Sequence, residues 1–516
     1  MGSLLALDLG TQSVRALLFD AHGNLEARAQ VKFQPIYHSP HPGWAEQDAD
    51  YYWSCLGQAC RELWPQGVDP ACVEGVALTT QRGTTVAVDH QGRPLLPAIT
   101  WLDQREAEGL PALPLWLQGV FNVVGEAETI DYFRRQAECN WIAHHHPHVW
   151  ARTHKFLLIS GYLNFRLCGR YVDSLASQVG YLPFDFKRLD WVKPWDWKWK
   201  ALAVRQEQLP ELVPPGGVMG HIGVDASRMT GLREGTILVS AGADKACEVL
   251  GSGCLHADLG ALSFGTTATI NTTQSRYMEA TKLLPPYPAA VPGAFLTEVQ
   301  TFRGFWMVNW FKEEFGHKEQ WLAESEGVVV ETLFDALLRE TPPGAMGLML
   351  QPYWSPGIRE PGREAKGALI GFGDVHTRAH VYRAIIEGLA FALLDGRERI
   401  EKRSRHRLRA LRVSGGGAQS DEVMRITANV FGLPAERPHT TETSGLGAAM
   451  NVAVALGWHA NHAKAVAAMT RVSDVFYPQD EEHRLYQKLY NRVWKRMYSQ
   501  LRPMYQEIRQ ITGYPR

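Results

Sequence analysis

The stretch Val239-Ser240-Ala241-Gly242-Ala243-Asp244-Lys245-Ala246-Cys247 lies close to the middle of the 516-residue chain. It predicts a buried turn of small residues that carries one carboxylate, that of Asp244. From the residues alone, the favoured interpretation of Asp244 is a helix N-cap, because aspartate is among the preferred residues at that position. A catalytic base is the alternative.

A boundary between two domains is predicted close to this turn. The turn Gly231-Leu232-Arg233-Glu234-Gly235 and a strand from Thr236 to Ser240 precede it. A single core rarely grows past roughly 250 to 300 residues, so a chain of this length is expected to form two large domains with a cleft between them. We place these domains at residues 1–243 and 244–516.

Composition limits the classes of partner and location. Lys plus Arg number 53 and Asp plus Glu number 54, a net charge of -1 that argues against nucleic acid or an anionic membrane as a partner. The seven cysteines are scattered and never spaced as Cys-x-x-Cys, which favours a reduced, cytoplasmic setting. No apolar run reaches membrane-spanning length.

The N-terminal residues predict an antiparallel meander with a tight first turn. An apolar strand from Leu4 to Leu9 is followed by the turn Gly10-Thr11-Gln12-Ser13, a strand from Val14 to Phe19 and a third strand from Leu25 to Phe33. Backbone N–H groups and small hydroxyls in such a turn can hold phosphate, and Asp8 beside it can hold a metal ion through water. An ordinary hairpin turn is the alternative.

The strand–turn–strand pattern recurs at Gly260 to Asn271, with Gly265-Thr266 in the turn. Two such hairpins, one opening each half, indicate an internal duplication. They would hold one polyphosphate from opposite sides of a cleft. Two unrelated hairpins are the alternative.

Other segments complete the outline. Helices are expected at Tyr51–Trp64, Arg152–Cys168 and Arg378–Arg397. A strand from Arg409 to Ser414 leads into the glycine-rich stretch 415–421, which lets a nucleotide approach the backbone at a helix start or merely joins two elements. The run His144-His145-His146-Pro147-His148 is interpreted as a solvated loop, with a zinc site as the alternative.

Six stretches together resemble the FGGY family of carbohydrate kinases over nearly the whole chain. They are the two Gly-Thr hairpins, Gly43–Asp48, Trp101-Leu102-Asp103-Gln104-Arg105, Val413–Ala418, and Gly367-Ala368-Leu369-Ile370-Gly371-Phe372 followed by His380–Glu387. The resemblance implies an α/β fold with two actin-like (ribonuclease-H-like) ATPase domains around a central cleft. It also implies ATP and Mg2+ as cofactors.

The resemblance assigns roles to individual residues. Asp244 matches the catalytic aspartate of the family and Asp8 the metal-associated one, so catalysis becomes the favoured role of Asp244. The substrate-binding residues that it implies are Gln81, Arg82, Trp101 and Asp103, although a surface ion pair of Asp103 with Arg105 is an alternative. The ATP-binding residues that it implies are Gly10, Thr11, Gln12, Ser13, Gly265, Thr266, Gly416, Gly417 and Asp421.

Departures from the family pattern mean that the resemblance does not identify the acceptor sugar. Glu138 stands where the N-terminal signature has lysine, and Gly83 stands where the glycerol-kinase subgroup has glutamate. Gln81-Arg82 replaces the Met-His of the xylulose-kinase subgroup, and Phe305-Trp306 is bulky where many relatives have small residues. A ketopentose such as xylulose or ribulose is expected first, with other ketoses, deoxyketoses and polyols as alternatives.

The sequence therefore predicts an ATP-dependent sugar kinase. Its expected partner is a small sugar, neither nucleic acid nor membrane, and a homodimer is compatible with the sequence. The main rival is a catalytically idle actin-like protein that binds ATP as a regulatory module. An acetate-type kinase or a chaperone ATPase is a second rival, but the substrate stretch at Trp101–Arg105 is foreign to both.

Overall fold

The computed structural model describes residues 2–265, 267–328, 330–355 and 361–514. In it, the chain folds into two large sheets with helices packed on them. The strands of the first half are β1 (Ser3–Leu9), β2 (Ser13–Phe19), β3 (Leu25–Lys32), β4 (Glu46–Gln47), β5 (Val73–Thr80), β6 (Thr85–Val88), β7 (Ala98–Ile99), β8 (Lys155–Leu158), β9 (Val172–Ser174), β10 (Phe184–Asp185), β11 (Asp190–Trp191), β12 (Glu211–Val213), β13 (Val218–His221) and β14 (Ile237–Ala243). Those of the second half are β15 (Leu259–Phe264), β16 (Ala268–Gln274), β17 (Tyr287–Pro288), β18 (Phe295–Thr301), β19 (Met349–Gln351), β20 (Ala368–Ile370), β21 (Ala410–Ser414), β22 (Ala435–Pro438) and β23 (Val472–Phe476).

The helices cover both faces of the sheets. They are α1 (Ala49–Leu63), α2 (Leu115–Val124), α3 (Ala127–Gln136), α4 (Glu138–His145), α5 (Pro147–Arg152), α6 (Ile159–Cys168), α7 (Lys198–Ala201), α8 (Val224–Thr230), α9 (Asp244–Gly251), α10 (Trp306–Phe315), α11 (His317–Glu326), α12 (Val330–Arg339), α13 (Arg378–Ser404), α14 (Asp421–Phe431), α15 (Thr443–Ala455), α16 (His462–Met469), α17 (Asp480–Leu489) and α18 (Lys495–Thr512). Within the described residues, no helix combines the length and the apolar character that crossing a membrane requires.

The same strand arrangement occurs in both large sheets. The first sheet has the order β13-β14-β5-β1-β2-β3, and the second has the order β17-β18-β16-β15-β21-β22-β23. Each contains an antiparallel meander, β1-β2-β3 or β15-β16-β18, with a parallel strand, β5 or β21, beside its first strand. The predicted meander and the predicted duplication are both confirmed.

Strand β1 is buried on both faces, so its sequence is a continuous apolar run. Leu5, Leu7 and Leu9 pack in the core that contains α1. Leu4 and Ala6 point the other way, into the core that contains α9 and α15. Because α15 comes from the second half of the chain, this second core joins the two halves.

Helices α9 and α15 cross with their backbones in contact. A methyl group added to Gly447 would overlap the carbonyl oxygen of Cys247, and one added to Gly251 would overlap the carbonyl oxygen of Thr443. Glycine at both positions therefore allows the two helices to pack more closely than side chains would permit. Since α9 begins at Asp244, this crossing also fixes the position of that residue.

Two local expectations were wrong. The predicted helix Arg152–Cys168 is divided into the end of α5, strand β8 and helix α6, because Lys155–Leu158 pairs with β6. The histidine run is not a loop, since His145 ends α4 and Pro147 begins α5. The helical spacing of apolar residues did not reveal that Lys155–Leu158 forms an edge strand of the small sheet β4-β7-β6-β8.

The glycine crossing gives a stability prediction. We expect Gly447→Ala to lower the free energy of unfolding by about 1 to 3 kcal/mol, because the methyl group has no space at the Cys247 carbonyl. Urea unfolding would measure this. The control is Gly119→Ala in α2, where an added methyl group meets nothing within 4 Å and alanine is the better helix former. Equal stability of the Gly447 variant and the wild type would contradict the close crossing.

Candidate active site

The three stretches predicted to carry the chemistry meet at one edge of the first sheet. Strands β1, β5 and β14 run parallel, with Leu9 opposite Thr80 and Thr80 opposite Ala243. Their carboxyl ends therefore bring together Asp8 with the turn after Leu9, Gln81-Arg82 after Thr80, and Asp244 after Ala243. Such an edge is where open parallel sheets bind ligands.

Asp244 is the first residue of α9 and is partly buried. Its Oδ1 accepts a hydrogen bond from the backbone N–H of Lys245, 2.7 Å away. Burial raises the pKa of Asp244 above its ordinary value, while the charges of Arg82 and Lys245 act in the opposite direction. The carboxylate is thus partly dehydrated but lies between two cations.

Asp8 is a second buried carboxyl in the same place. Burial raises its pKa to about 7, the charge of Arg15 lowers it, and the charges of Asp244 and Glu442 raise it further. Arg15 Nη1 lies 3.5 Å from Asp8 Oδ2 and 3.0 Å from Glu442 Oε2. A cation bound near Asp8 would relieve this concentration of negative charge.

Lys245 connects the start of α9 to the second sheet. Its Nζ donates to Ser263 Oγ at 2.9 Å and is paired with Glu248. Glu248 Oε1 in turn accepts a hydrogen bond from Ser414 Oγ at 2.5 Å. No sequence pattern indicates this network, because its members come from α9, β15 and β21.

The predicted acceptor side of the cleft contains residues of both halves of the chain. Arg82 Nη2 lies 3.1 Å from Glu298 Oε1 on β18, and the Arg82 guanidinium lies 5.1 Å from the ring centroid of Tyr287. Gln81 is buried, with Nε2 3.5 Å from the Tyr52 hydroxyl. Within the part of the chain that the structure describes, Gln81 Oε1 is buried and has no hydrogen-bond partner.

Trp101 joins the predicted sugar side to the predicted phosphate side. Its Nε1 donates to Thr11 Oγ1 at 3.0 Å, and the ring remains 37% exposed. An exposed indole next to the predicted phosphate turn offers an apolar surface on which a sugar face can stack.

The carboxylate of Asp103 forms its hydrogen bonds with neighbouring protein groups. Its Oδ2 accepts from the Ala45 N–H at 2.6 Å, and its carboxylate forms a bidentate pair with Arg105 at 2.7 Å to both Nε and Nη2. The Arg105 guanidinium lies over Trp44 and Trp141. The alternative interpretation of Asp103 was a surface ion pair with Arg105; the pair forms, but both side chains are buried. Direct substrate binding by Asp103 stays a prediction.

A cavity of about 420 Å³ brings together the predicted nucleotide-binding residues Gln12, Gly265, Gly416 and Gly417. This volume lies in the range of small-molecule sites. The sequence did not point to its other walls, which include Asn309 of α10, Asp335 of α12 and Ser420. Ser420 Oγ caps α14 and donates to Asp335 Oδ1 at 2.5 Å.

Phe305, noted in the sequence as a bulky departure from many relatives, is another wall of this cavity. Its ring occupies the space where Gly417 would carry a side chain, and it packs against Phe264 with the ring centroids 4.8 Å apart and the rings tilted by 39°. The bulky residue and the glycine are therefore complementary.

The remaining predicted ATP-binding residues are placed as follows. Gly10 N–H donates to the Ser13 carbonyl oxygen at 3.0 Å and closes the first turn. Ser13 Oγ accepts from Gln30 Nε2 at 2.8 Å. Asp421 Oδ1 pairs with Arg437 Nη2 at 2.7 Å and is not a wall of the cavity. Thr266 lies outside the described residues.

The donor groups near Asp8 suit magnesium held mainly by phosphate and water. The described residues contain no group of three or more His, Cys, Asp or Glu side chains placed to hold a metal ion. Mg2+ commonly keeps several waters and uses one or two carboxylates together with nucleotide phosphates. The buried carboxylate of Asp8 can serve as one such ligand.

Comparison with known proteins agrees with this geometry. Residues 3–251 match the model of the FGGY family of carbohydrate kinases, N-terminal domain, and residues 260–456 match that of the C-terminal domain. A xylulose kinase of Staphylococcus epidermidis is 26% identical, covering 99% of both chains. A glycerol kinase of Dechloromonas aromatica is 30% identical, covering 93% of this chain and 94% of its own.

Solved structures share the fold. The crystal structure of gluconate kinase from Lactobacillus acidophilus superimposes with a TM-score of 0.80 at 22% identity, covering 100% of this chain and 99% of its own. The expected α/β fold with two actin-like domains around a cleft is confirmed. The chain belongs to the FGGY family of carbohydrate kinases.

Proposed function

We propose that this kinase transfers the γ-phosphate of ATP to a hydroxyl group of a ketopentose such as xylulose, with Asp244 as the catalytic base. The observation that carries the proposal is the position of Asp244. It begins α9 at the sheet edge where Arg82 and the turn after β1 also lie. A base there has the acceptor pocket on one side and the phosphate turns on the other.

A sugar hydroxyl is a weak nucleophile, because its proton must leave as the oxygen attacks phosphorus. Asp244 accepts that proton. Arg82 and Lys245 oppose the effect of burial on the pKa of Asp244, which favours the ionised form that a base requires. The buried walls of the cleft limit the access of water, which would otherwise compete with the sugar.

The nucleotide is assigned to the cavity bordered by Gln12, Gly265 and Gly417. We assign the phosphates to the turns at Gly10–Ser13 and Gly265-Thr266, whose backbone N–H groups can donate to phosphate oxygens. Asp8 is the residue that would hold Mg2+, which neutralises phosphate charge when bound. Asp421 is assigned to the rim of this site, through Arg437.

The acceptor is assigned to the pocket formed by Gln81, Arg82 and Trp101. Asp103 supports it by holding the loop that carries Trp101. Relatives named xylulose kinase and glycerol kinase have similarly low identity, so the residues decide between them. Gly83 removes the carboxylate that the glycerol-kinase subgroup carries, which favours a ketose.

An idle ATP-binding protein has no use for a carboxylate at Asp244, and nothing favours that alternative. The decisive experiment is an ATP-consumption screen over ketoses, aldoses and polyols. Stimulation by a ketopentose supports the proposal, while stimulation by glycerol alone, or by no sugar, contradicts it. The domain division at Asp244, the cytoplasmic location and a homodimer stay predictions.

We expect Asp244→Asn to lower kcat by about 100-fold or more, because the amide cannot accept the proton. Affinity for MgADP should remain, since Asp244 is not a wall of the nucleotide cavity. Steady-state kinetics and calorimetry would measure the two effects. Asp225→Asn is the control, with a side chain that is 95% exposed on α8. Undiminished turnover of the Asp244 variant would end its assignment as the base.

Phe305→Ala should raise the Kd for MgADP by about tenfold, because the cavity loses an aromatic wall worth roughly 1 kcal/mol or more. Isothermal titration calorimetry would measure it. The matched control is Phe315→Ala at the end of α10, where the side chain is 42% exposed. An unchanged Kd for the Phe305 variant would place the nucleotide elsewhere.

The pH profile should report the raised pKa of Asp244. A base is active when ionised, so kcat/KM should fall with decreasing pH, starting above the ordinary value of 3.8. Arg82 lowers the pKa of Asp244, so Arg82→Gln should move the acid limb to higher pH. Arg93→Gln, with a 72% exposed side chain, is the control. A midpoint unmoved by Arg82→Gln would refute the coupling.

A further inference from the structure

One face of the second sheet presents polar side chains to the cleft. In the antiparallel pair β16 and β18, Asn271 lies opposite Glu298 and Thr269 opposite Gln300, so these side chains share a face. The alternating residues Ile270 and Val299 border Gly396 of α13 on the other face. Asn271 and Glu298 therefore point away from α13, and Glu298 meets Arg82 of the first half.

Glu298 is buried but not fully satisfied. Its side chain is 4% exposed, and only Oε1 is paired, with Arg82 Nη2 at 3.1 Å. Among the residues that the structure describes, neither Glu298 Oε2 nor Asn271 Oδ1 has a hydrogen-bond partner. Leaving a buried carboxylate oxygen unpaired is unfavourable. A donor from a bound molecule would correct this, and a sugar hydroxyl is such a donor.

Arg82 can donate a hydrogen bond to the same bound sugar. A guanidinium has five N–H donors, and Glu298 accepts from one of its terminal nitrogens. Of two adjacent hydroxyls, one can donate to Glu298 Oε2 while the other accepts from Arg82. The carboxylate that Gly83 lacks on the β5 side of the cleft would then come from β18 on the opposite side.

We propose that Glu298 is an acceptor-binding residue that selects neutral sugars or polyols with adjacent hydroxyls and discriminates against sugar acids. The inference rests on the proposed kinase function. Arg82 is already neutralised by Glu298, so it offers little compensation to an incoming carboxylate. Glu298 and Asp244 would both repel that carboxylate.

The test compares Glu298→Gln with wild type, using as acceptors D-xylulose and the five-carbon sugar acid D-xylonate, which has the same configuration at C3 and C4. We expect KM for D-xylulose to rise about tenfold or more, as for the loss of a hydrogen bond to a charged group, with a smaller change in kcat. KM for MgATP should be unchanged. The ratio of kcat/KM for D-xylonate to that for D-xylulose should rise at least about tenfold, because Arg82 becomes available to the acid.

The matched control is Glu436→Gln. Glu436 also pairs with an arginine, Arg412 of the neighbouring strand, but β22 lies four strands from β18 in the same sheet. That variant should leave both KM values and the acid-to-neutral ratio unchanged. Should Glu298→Gln not fold, Glu298→Asp replaces it. The shorter carboxylate should weaken D-xylulose binding without improving use of the acid.

The outcomes separate this inference from the proposed function. If wild type phosphorylates D-xylulose while Glu298→Gln keeps its KM and acid-to-neutral ratio, the inference is overturned and the kinase function stands. If wild type phosphorylates no neutral acceptor, the proposed function fails. Xylitol binding, measured by calorimetry, then decides the role of Glu298. Weaker binding by Glu298→Gln supports it, and equal binding or none overturns it.

Discussion

The backbone contact between α9 and α15 is the constraint on which the rest of the structure depends. Gly251 and Gly447 let the helices approach until each meets a carbonyl group of the other. Because α15 also packs on the first sheet, one crossing joins the halves and sets where α9 begins. The position of Asp244 relative to β1 and β5 therefore follows from helix packing, not from the flexibility of a linking segment.

Burial of charge is the second organising feature. The charges of Asp244 and Glu248 raise the pKa of Asp8, and the charge of Glu248 also raises the pKa of Asp244. Arg15 opposes this effect at Asp8, while Arg82 and Lys245 oppose it at Asp244. Such an arrangement is expensive for stability alone, since burying charges opposes folding unless they are well paired. It is consistent with a site where a proton acceptor, phosphates and a cation must share one small volume.

The sequence predicted those parts of the site that are local in the chain. The Gly10–Ser13 turn, the glycine stretch around Gly416-Gly417 and Asp244 each follow a strand, and strand ends in parallel sheets converge. It failed where partners are distant in the chain. Nothing local marked Glu298 as the partner of Arg82, or Asp335 as that of Ser420. Helical spacing also hid strand β8, because an edge strand is determined by its neighbour β6.

The sequence by itself determined the family, the repeated strand–turn–strand plan and the identity of the candidate base, because these depend on short patterns of residue type. Only the tertiary structure decided what faces that base. It placed Phe305 beside Gly417 in the cavity assigned to the nucleotide, enclosed Asp103 in its own loop and brought Glu298 to Arg82. Such placements depend on which strands pair, which of their faces point to the cleft and how closely the helices cross. No single segment of the sequence determines these features.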